Sequence, residues 1–184
     1  MKKLLLTLLA GIMALSMTAC GNKGEKLTLY AETWEGDNVR LAVDFYYPED
    51  ADITLEGDEE YPNWMDMHYT SKNITISPAI FEDTTFDNNK EYDKENEETY
   101  TEFKLNGYDC YAYEGFGGYW IYVHLEEVSE TTDRYLVIDT ETIDYSIDGT
   151  PEGIGQYEEE AIKKIIDSFE YRGVVEYPEE TEEK

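Results

Sequence analysis

The chain has 184 residues, of which 43 are Asp or Glu and 14 are Lys or Arg, so its formal net charge at pH 7 is −29. This charge excludes a nucleic-acid-binding protein, because neutralising phosphates requires a basic surface. It also excludes attachment to anionic lipid through a polybasic face. Apolar residues make up 41% of the chain and aromatic residues 14%, which is enough to bury a core. The length allows one domain with extensions.

The first residues have the pattern of an export signal. Lys2 and Lys3 precede a run without charge over residues 4–17, which is too short to cross a bilayer as a helix. The following Met17-Thr18-Ala19-Cys20 resembles the lipobox of bacterial lipoproteins, with Met17 where leucine is usual. The resemblance implies that Cys20 is acylated. The alternative is ordinary cleavage near Ala19, which would leave Cys20 unmodified.

The lipobox resemblance leads to expectations about processing, charge, attachment and disulfides. Residues 1–19 are a lipoprotein signal peptide, and residues 20–26 are a lipidated tether. Loss of the two signal lysines changes the formal charge from −29 to −31. Acyl chains such as palmitate hold the protein to the extracytoplasmic face of the cell membrane, while a body this acidic is repelled by anionic lipid and stands off. Acylation of Cys20 leaves Cys110 alone, so no intrachain disulfide is expected.

The first half of the mature chain predicts short antiparallel strands. Leu27 to Glu32 and Val39 to Tyr47 are the first two, and the second alternates apolar and polar residues with a period of two. A short strand is expected over 53–56. Segments 64–69 and 74–77 predict a hairpin with its turn at 70–73.

The β pattern stops from Pro78 to Glu98, which we interpret mostly as a loop with room for a short helix. It resumes at 99–105, and Asn106-Gly107 predicts a tight hairpin turn. Further strands are expected over 108–114, 119–125, 134–139 and 142–147, of which the last two form a pair or one long bent strand.

One amphipathic helix is predicted over 158–170. Its apolar stripe consists of Ala161, Ile162, Ile165, Ile166 and Phe169. We expect residues 174–184 to form an acidic C-terminal tail. The prediction is a single α+β domain over 27–173, with an antiparallel β-sheet and the C-terminal amphipathic helix packed on one face.

The hairpin around the glycine turn 115–118 separates two kinds of side chain. If Glu114 pairs with Tyr119, one face carries Tyr111, Tyr113, Trp120, Tyr122 and His124, and the other carries Cys110, Ala112, Ile121, Val123 and Leu125. The small aliphatic face suits the Ile-rich helix. The aromatic face is either a platform for sugar rings or a peptide, or it is buried under Ile80, Phe81 and Phe86 or another layer.

Catalytic and cofactor motifs are absent from the sequence. His68, His124 and one mature thiol cannot build a four-ligand zinc site from nitrogen and sulfur alone. Cys110 and His124 would form a nucleophile–base pair only on a shared face, and the predicted register puts them on opposite faces. No nucleophile elbow, phosphate-binding loop or dinucleotide fingerprint occurs, so we expect no cofactor.

The acidic segment 87–98 has the donor spacing of an EF-hand loop. The candidate Ca²⁺ ligands are Asp87, Asn89, Glu91, Asp93 and Glu98. Tyr92 stands where that loop needs glycine, and acidic segments produce such spacings easily. Diffuse condensation of cations on the surface is therefore the alternative.

Three short motifs stand out in the sequence: F-Y-Y-P-E at 45–49, L-N-G-Y-D-C-Y-A-Y-E at 105–114 and I-K-K-I-I-D-S-F-E at 162–170. Together they resemble the motifs of small PsbP-like lipoproteins. The resemblance spans about residues 38–172 and implies an antiparallel sheet flanked by helices. It assigns no catalytic residue. Cys110 stands where a small apolar residue is usual, which favours its burial.

Two hypotheses of function follow. The first is a monomeric, non-catalytic lipoprotein, a binding or assembly module for an unknown protein or cell-wall glycan partner. The second is a carbohydrate or peptide binder that uses Tyr111, Tyr113, Trp120 and Tyr122. A cell-wall hydrolase using acidic residues has no positive indication in the sequence.

Overall fold

Antiparallel β-structure dominates the fold, as the alternating sequence patterns predict. The structure is a computed structural model that describes residues 24–48, 51–57, 65–115, 118–142 and 160–177. Its strands form two sheets, accompanied by two α-helices and one 3₁₀ turn within these ranges. The strands that pair within each sheet are antiparallel. A sheet-dominated α+β class is therefore confirmed.

The smaller sheet joins the two ends of the described chain. It contains β1 (Glu25–Glu32), β2 (Val39–Tyr47) and β10 (Glu170–Glu176) in the order β1-β2-β10. The central strand β2 has the predicted bounds. Its alternate residues Leu41, Val43 and Phe45 have no exposed surface, because their face of the sheet covers the core.

The larger sheet has seven strands in the order β3-β4-β5-β9-β8-β7-β6. They are β3 (Ile53–Gly57), β4 (Met65–Tyr69), β5 (Ile74–Asp83), β6 (Thr101–Leu105), β7 (Tyr108–Gly115), β8 (Gly118–Ser129) and β9 (Thr132–Thr142). A 3₁₀ turn, Thr70–Lys72, joins β4 to β5, so the hairpin predicted there is confirmed. Gly118 must be glycine, because a Cβ there would lie 2.2 Å from the Thr140 carbonyl oxygen.

Two helices accompany the sheets, α1 (Phe86–Asn96) and α2 (Glu160–Ile166). Ile162, Ile165 and Ile166 of α2 have no exposed surface and belong to the apolar core cluster. The same cluster contains residues of both sheets, such as Leu41 of β2 and Ile121 of β8. One core therefore joins the two sheets and α2.

The end of α2 is bonded to both sheets. The Ser168 hydroxyl accepts the Tyr46 N–H of β2 at 2.8 Å, and it lies 2.9 Å from the Tyr46 carbonyl oxygen and 2.6 Å from that of Ile165. In the turn between β6 and β7, the Asn106 side-chain amide donates to the carbonyl oxygens of Asp167 and Phe169 at 2.8 and 3.1 Å. These carbonyls follow the helix and would otherwise lack intrahelical partners. We call Tyr46, Asn106, Ser168 and these two carbonyls the helix joint.

The interpretation of residues 78–98 as mostly loop is wrong. Strand β5 continues through Pro78 to Asp83, and α1 follows it. Because β4 pairs with β5 only from Ile74 to Ile76, Pro78 lies where β5 has β9 alone as its paired neighbour, and such positions tolerate proline. The uncertainty over 134–147 is resolved in part, since β9 is one continuous strand to Thr142.

The strands extend beyond the predicted domain limits, residues 27 and 173, at both ends. Glu25 and Lys26, assigned to the tether, belong to β1, and residues 174–176, assigned to the acidic tail, pair with β2 in β10. The predicted helix over 158–170 ends at Ile166, and Glu170 already belongs to β10. The signal peptide, Cys20, Trp64 and residues 143–147, 158–159 and 178–184 lie outside the described residues. Within the described ranges, no helix has the length and apolar character to cross a membrane.

Asn106→Asp tests the helix joint. Asn106 has a φ of 50°, in the left-handed region, and both asparagine and aspartate tolerate this conformation. Aspartate, however, cannot donate to the two carbonyl oxygens and adds charge repulsion. We expect a loss of about 1–3 kcal/mol in the free energy of unfolding, measured by urea titration. Asn106→Gly keeps the positive φ and removes the bonds without repulsion, so it should lose less. Equal stability of the Asp variant and the wild type would contradict this role.

Candidate functional site

The aromatic hairpin has the predicted register. Glu114 pairs with Tyr119, Tyr111 with Tyr122 and Tyr113 with Trp120. Cys110, Ala112, Ile121, Val123 and Leu125 belong to the main core, whereas Tyr111, Tyr113, Trp120 and Tyr122 form a second cluster on the opposite side of the sheet. We call this second side the aromatic face. Tyr135 of β9 lies on it as well, stacked on Phe81 at 5.6 Å between ring centroids.

Helix α1 begins above the aromatic face, and two side chains fix its first turn. The Thr85 hydroxyl accepts the Asn88 N–H at 3.3 Å as an N-cap. The buried Asp133 carboxylate of β9 accepts the Phe86 N–H at 2.8 Å. The Phe86 ring is buried and stacks on His124 at 4.9 Å. Part of the aromatic face is therefore covered, as the burial alternative predicted for Phe86.

Asp93 is the second buried residue of α1, and it binds the sheet beneath the helix. Its carboxylate accepts the Tyr111 hydroxyl at 2.7 Å. Burial raises the pKa of Asp93 above its ordinary value, while the Tyr111 hydrogen bond opposes that rise. Burial and the same hydrogen bond raise the pKa of Tyr111. Tyr111 has no exposed surface, so its assignment as a ligand-contact residue is wrong.

The other three predicted contact residues remain half-buried at the edge of the covered area. Tyr122 stacks on Tyr111 with ring centroids 4.6 Å apart and planes 5° apart. The Tyr113 and Tyr122 hydroxyl oxygens lie 3.3 Å apart. At Gly115, an added Cβ would lie 3.0 Å from the indole of Trp120, so glycine leaves space for this ring. Tyr113, Trp120 and Tyr122 form what we call the aromatic row.

The cysteine and the histidine of the hairpin are separated, as the predicted register requires. Cys110 is buried in the core cluster, and burial raises the pKa of its thiol to about 12. His124 is on the aromatic face, with its Nε2 3.4 Å from the Asp133 carboxylate. A thiol with this pKa is not a thiolate at neutral pH, so this pair has neither the geometry nor the ionisation of a nucleophile and its base.

The predicted Ca²⁺ loop is wrong in its geometry, because residues 87–96 are helical. Successive candidates two residues apart point about 200° apart around a helix and cannot converge on one ion. Asp87 instead pairs with Lys90 at 2.7 Å, Asn89 bonds to Tyr135, Asp93 bonds to Tyr111, and Glu91 and Glu98 are exposed. No group of three or more His, Cys, Asp or Glu in the described part of the chain is placed to hold a metal ion.

A buried arginine of β9, between Asp133 and Tyr135, was not predicted. Arg134 is 4% exposed and contacts the carboxylates of Glu35, Glu126 and Glu82 at 2.6, 2.9 and 3.5 Å. Glu35 lies in the loop between β1 and β2, so these ion pairs join the smaller sheet to the larger one. The sequence gives no local indication of the cluster, because its members are up to 99 residues apart.

The N-terminus of α1 did have a local indication. Thr85 followed by Asp87 and Asn88 is a helix-start pattern with an acid in the first turn. The helix has few apolar residues, which is why an amphipathic pattern did not mark it. Its stability depends on Phe86 and Asp93, whose partners are Asp133 on β9 and Tyr111 on β7.

Comparisons with protein-family models, with curated proteins and with solved structures give no match for this chain. The site is therefore interpreted from its own geometry.

Asp93→Asn tests the buried carboxylate. The folded-state pKa of Asp93 is raised, so the folded state binds the proton more tightly than the unfolded chain. Stability associated with this group is therefore present at low pH and is lost as pH rises through the folded pKa. Asparagine still accepts the Tyr111 hydroxyl but does not ionise. We expect the variant to gain on the wild type as pH rises from the ordinary aspartate range towards neutrality, by ~1.4 kcal/mol for each unit of pKa difference.

The free energy of unfolding as a function of pH provides the measurement. Glu91→Gln, an exposed carboxyl of the same helix, is the control and should follow the wild-type profile. A constant difference between Asp93→Asn and the wild type across this range would show that Asp93 is not the titrating group.

Proposed function

We propose that this protein is exported and anchored through acylated Cys20, and that its domain is displayed on the extracytoplasmic face of the cell membrane. The observation that carries the proposal is the sequence Met17-Thr18-Ala19-Cys20 after a basic start and an apolar run. Strand β1 begins five residues after Cys20, so the folded domain follows the anchor directly. Cys110, the other cysteine, is buried in the core.

We further propose that the domain is a non-catalytic binding or assembly module. Several reactive side chains of the described part serve in packing: Cys110 is in the core, His124 lies under Phe86, and Asp93 holds Tyr111. What remains accessible beside them is the aromatic row, which offers ring surface for binding rather than groups for proton transfer.

The contacts of the helix joint support membership of the small PsbP-like lipoproteins as part of this proposal. Each of the three resembling motifs contributes to this joint: Tyr46 from the first, Asn106 from the second and Ser168 from the third. Tyr108 of the second motif also contacts the Phe169 ring of the third at 5.3 Å. The motifs would then recur because they fix the closing helix, here α2, against the sheets.

The anchor is tested by replacing its cysteine. The full chain should incorporate radioactive palmitate in a bacterium that acylates lipoproteins, and it should fractionate with membranes. Cys20→Ala should lose both the label and the membrane association, because the thiol that carries the acyl chain is gone. Cys110→Ala is the matched control and should keep both, since Cys110 is buried. Palmitate incorporation that persists in Cys20→Ala would contradict the proposal.

The second candidate function is carbohydrate or peptide binding at the aromatic row. It is favoured by the half-buried state of Tyr113, Trp120 and Tyr122. The Tyr122 ring stacks on Tyr111, and the Trp120 ring lies in the space that Gly115 leaves. Rigid, partly exposed rings bind apolar faces of ligands at low cost in conformational entropy.

Trp120→Ala tests this candidate in a co-sedimentation assay with purified peptidoglycan and in titrations with its soluble muropeptides. Loss of one stacking ring should weaken binding by up to about tenfold. Trp34→Ala is the matched control: Trp34 is 73% exposed, in the loop that contains Glu35, near Arg134 rather than Trp120. Equal affinities of both variants and the wild type would remove the aromatic row from the account.

A further inference from the structure

The outward side of the smaller sheet differs in charge from the rest of the chain. We call it the anchor face. It carries Lys26, Thr28, Tyr30 and Glu32 from β1, Arg40, Ala42, Asp44 and Tyr46 from β2, and Glu170, Arg172, Gly173, Val175 and Tyr177 from β10 and the residue after it. Three basic side chains thus face three carboxyls, and the formal charge of this face is zero. The mature chain as a whole carries −31, so this surface is exceptional.

The acidic groups of the anchor face are not all presented to solvent. Asp44 is only 4% exposed, although it points away from the core. It accepts Lys26 Nζ at 3.0 Å and the Thr28 hydroxyl at 2.8 Å, and Arg172 Nη1 lies 3.8 Å away. Lys26 and Arg172 keep 43% and 44% of their side-chain surface exposed. Lys26 and Arg172 are therefore more exposed than Asp44, the carboxylate between them, and the exposed carboxyls of this face are Glu32 and Glu170.

Tyrosine rings lie on this face beside the charged groups. Tyr30 and Tyr177 meet edge to face at 5.0 Å, and the Arg40 guanidinium lies 5.3 Å from the centre of the Tyr177 ring. Arginine, lysine and tyrosine are the side chains that suit the headgroup region of a bilayer, because each has an apolar body and a polar end.

The length of chain between the anchor and the fold restricts how the domain can sit. Glu25 is the fifth residue after Cys20, so the two lie at most about 17 Å apart when the chain between them is extended. The start of β1 therefore stays within about two Debye lengths of the lipid surface at physiological salt. Acidic groups on distant parts of the domain are screened over such distances, so the charge of the nearest face determines orientation.

We propose that the anchor face lies against the anionic headgroups of the leaflet that holds the Cys20 acyl chains. The inference rests on the proposed acylation, and it replaces uniform stand-off of the acidic body with one preferred orientation. The domain turns this side, which has no net formal charge and carries Tyr30 and Tyr177, to the membrane, and its acidic surfaces point away.

Hydroxyl-radical footprinting of native tyrosines tests this orientation. The acylated full chain is reconstituted into vesicles of equal parts phosphatidylglycerol and phosphatidylcholine, and flotation is checked on the same sample. Relative to the Cys20→Ala protein in solution, Tyr30 and Tyr177 should be modified several-fold more slowly. Tyr92, which is 68% exposed on α1, should be unchanged. Because Tyr177 lies at the far end of the sheet from Lys26, its protection distinguishes contact of the face from contact of the tether end alone.

A charge-reversal pair tests the electrostatic cause. Arg172→Glu gives the anchor face a net charge of −2 relative to the wild type and leaves Lys26 and Thr28 on Asp44. It should float but lose the protection of Tyr177. Lys104→Glu makes the same change at an exposed ion pair on β6 and should keep that protection.

The outcomes separate the two proposals. A protein that floats with Tyr30, Tyr177 and Tyr92 equally modified overturns the orientation and leaves the anchor intact. Equal protection in pure phosphatidylcholine vesicles overturns the role of anionic headgroups. Failure of the wild type to float overturns the anchor, and with it the tether constraint on which this inference depends.

Discussion

The helix joint is the contact on which the described architecture depends. The Ser168 hydroxyl accepts the Tyr46 N–H of β2 in the place where a neighbouring strand would supply a carbonyl. Asn106 donates to the carbonyl groups of Asp167 and Phe169, which follow α2. Tyr46 and Asn106 bond to the same short segment, 167–169, from different sheets. Phe169 is the buried residue of this segment, and the side chains of Ser168 and Asn106 give hydrogen-bond partners to backbone groups beside it, which would otherwise be costly to cover. Its position then fixes the start of β10, which pairs with β2 from Glu170 onward.

The two sides of the larger sheet belong to different clusters and are covered to different extents. Its aliphatic side, with the buried thiol of Cys110, belongs to the main core cluster, which also contains the isoleucines of α2. Its aromatic side is covered only in part, by a helix that is itself largely polar and that contributes Phe86 and Asp93 to the interface. The aromatic row is what this incomplete cover leaves accessible. A binding function located there uses rings that the fold has already immobilised, which lowers the entropic cost of recognition.

The sequence predicted best those features whose causes are local. The alternation along 39–47 and the glycine turn after Glu114 determine a strand and a hairpin register, and both are found as predicted. Helix α1 and strand β10 were missed because their stabilising partners are distant: Asp133 holds Phe86, and β2 pairs with β10 more than 120 residues along the chain. Acidic composition also suggested solvent-exposed chain at both places. The candidate site was predicted as four rings, and burial of Tyr111 by Asp93 reduces it to three.

Native-state hydrogen exchange in Ser168→Ala tests the helix joint most directly. If the segment 167–169 links the two sheets, loss of the Ser168 hydroxyl should speed amide exchange in β2 of the smaller sheet and in β6 and β7 of the larger sheet together. Ser129→Ala, at the exposed end of β8, removes a hydroxyl outside the joint and should leave these amides unchanged. Faster exchange confined to Tyr46 and its neighbours on β2, with β6 and β7 as protected as in the wild type, would contradict the account.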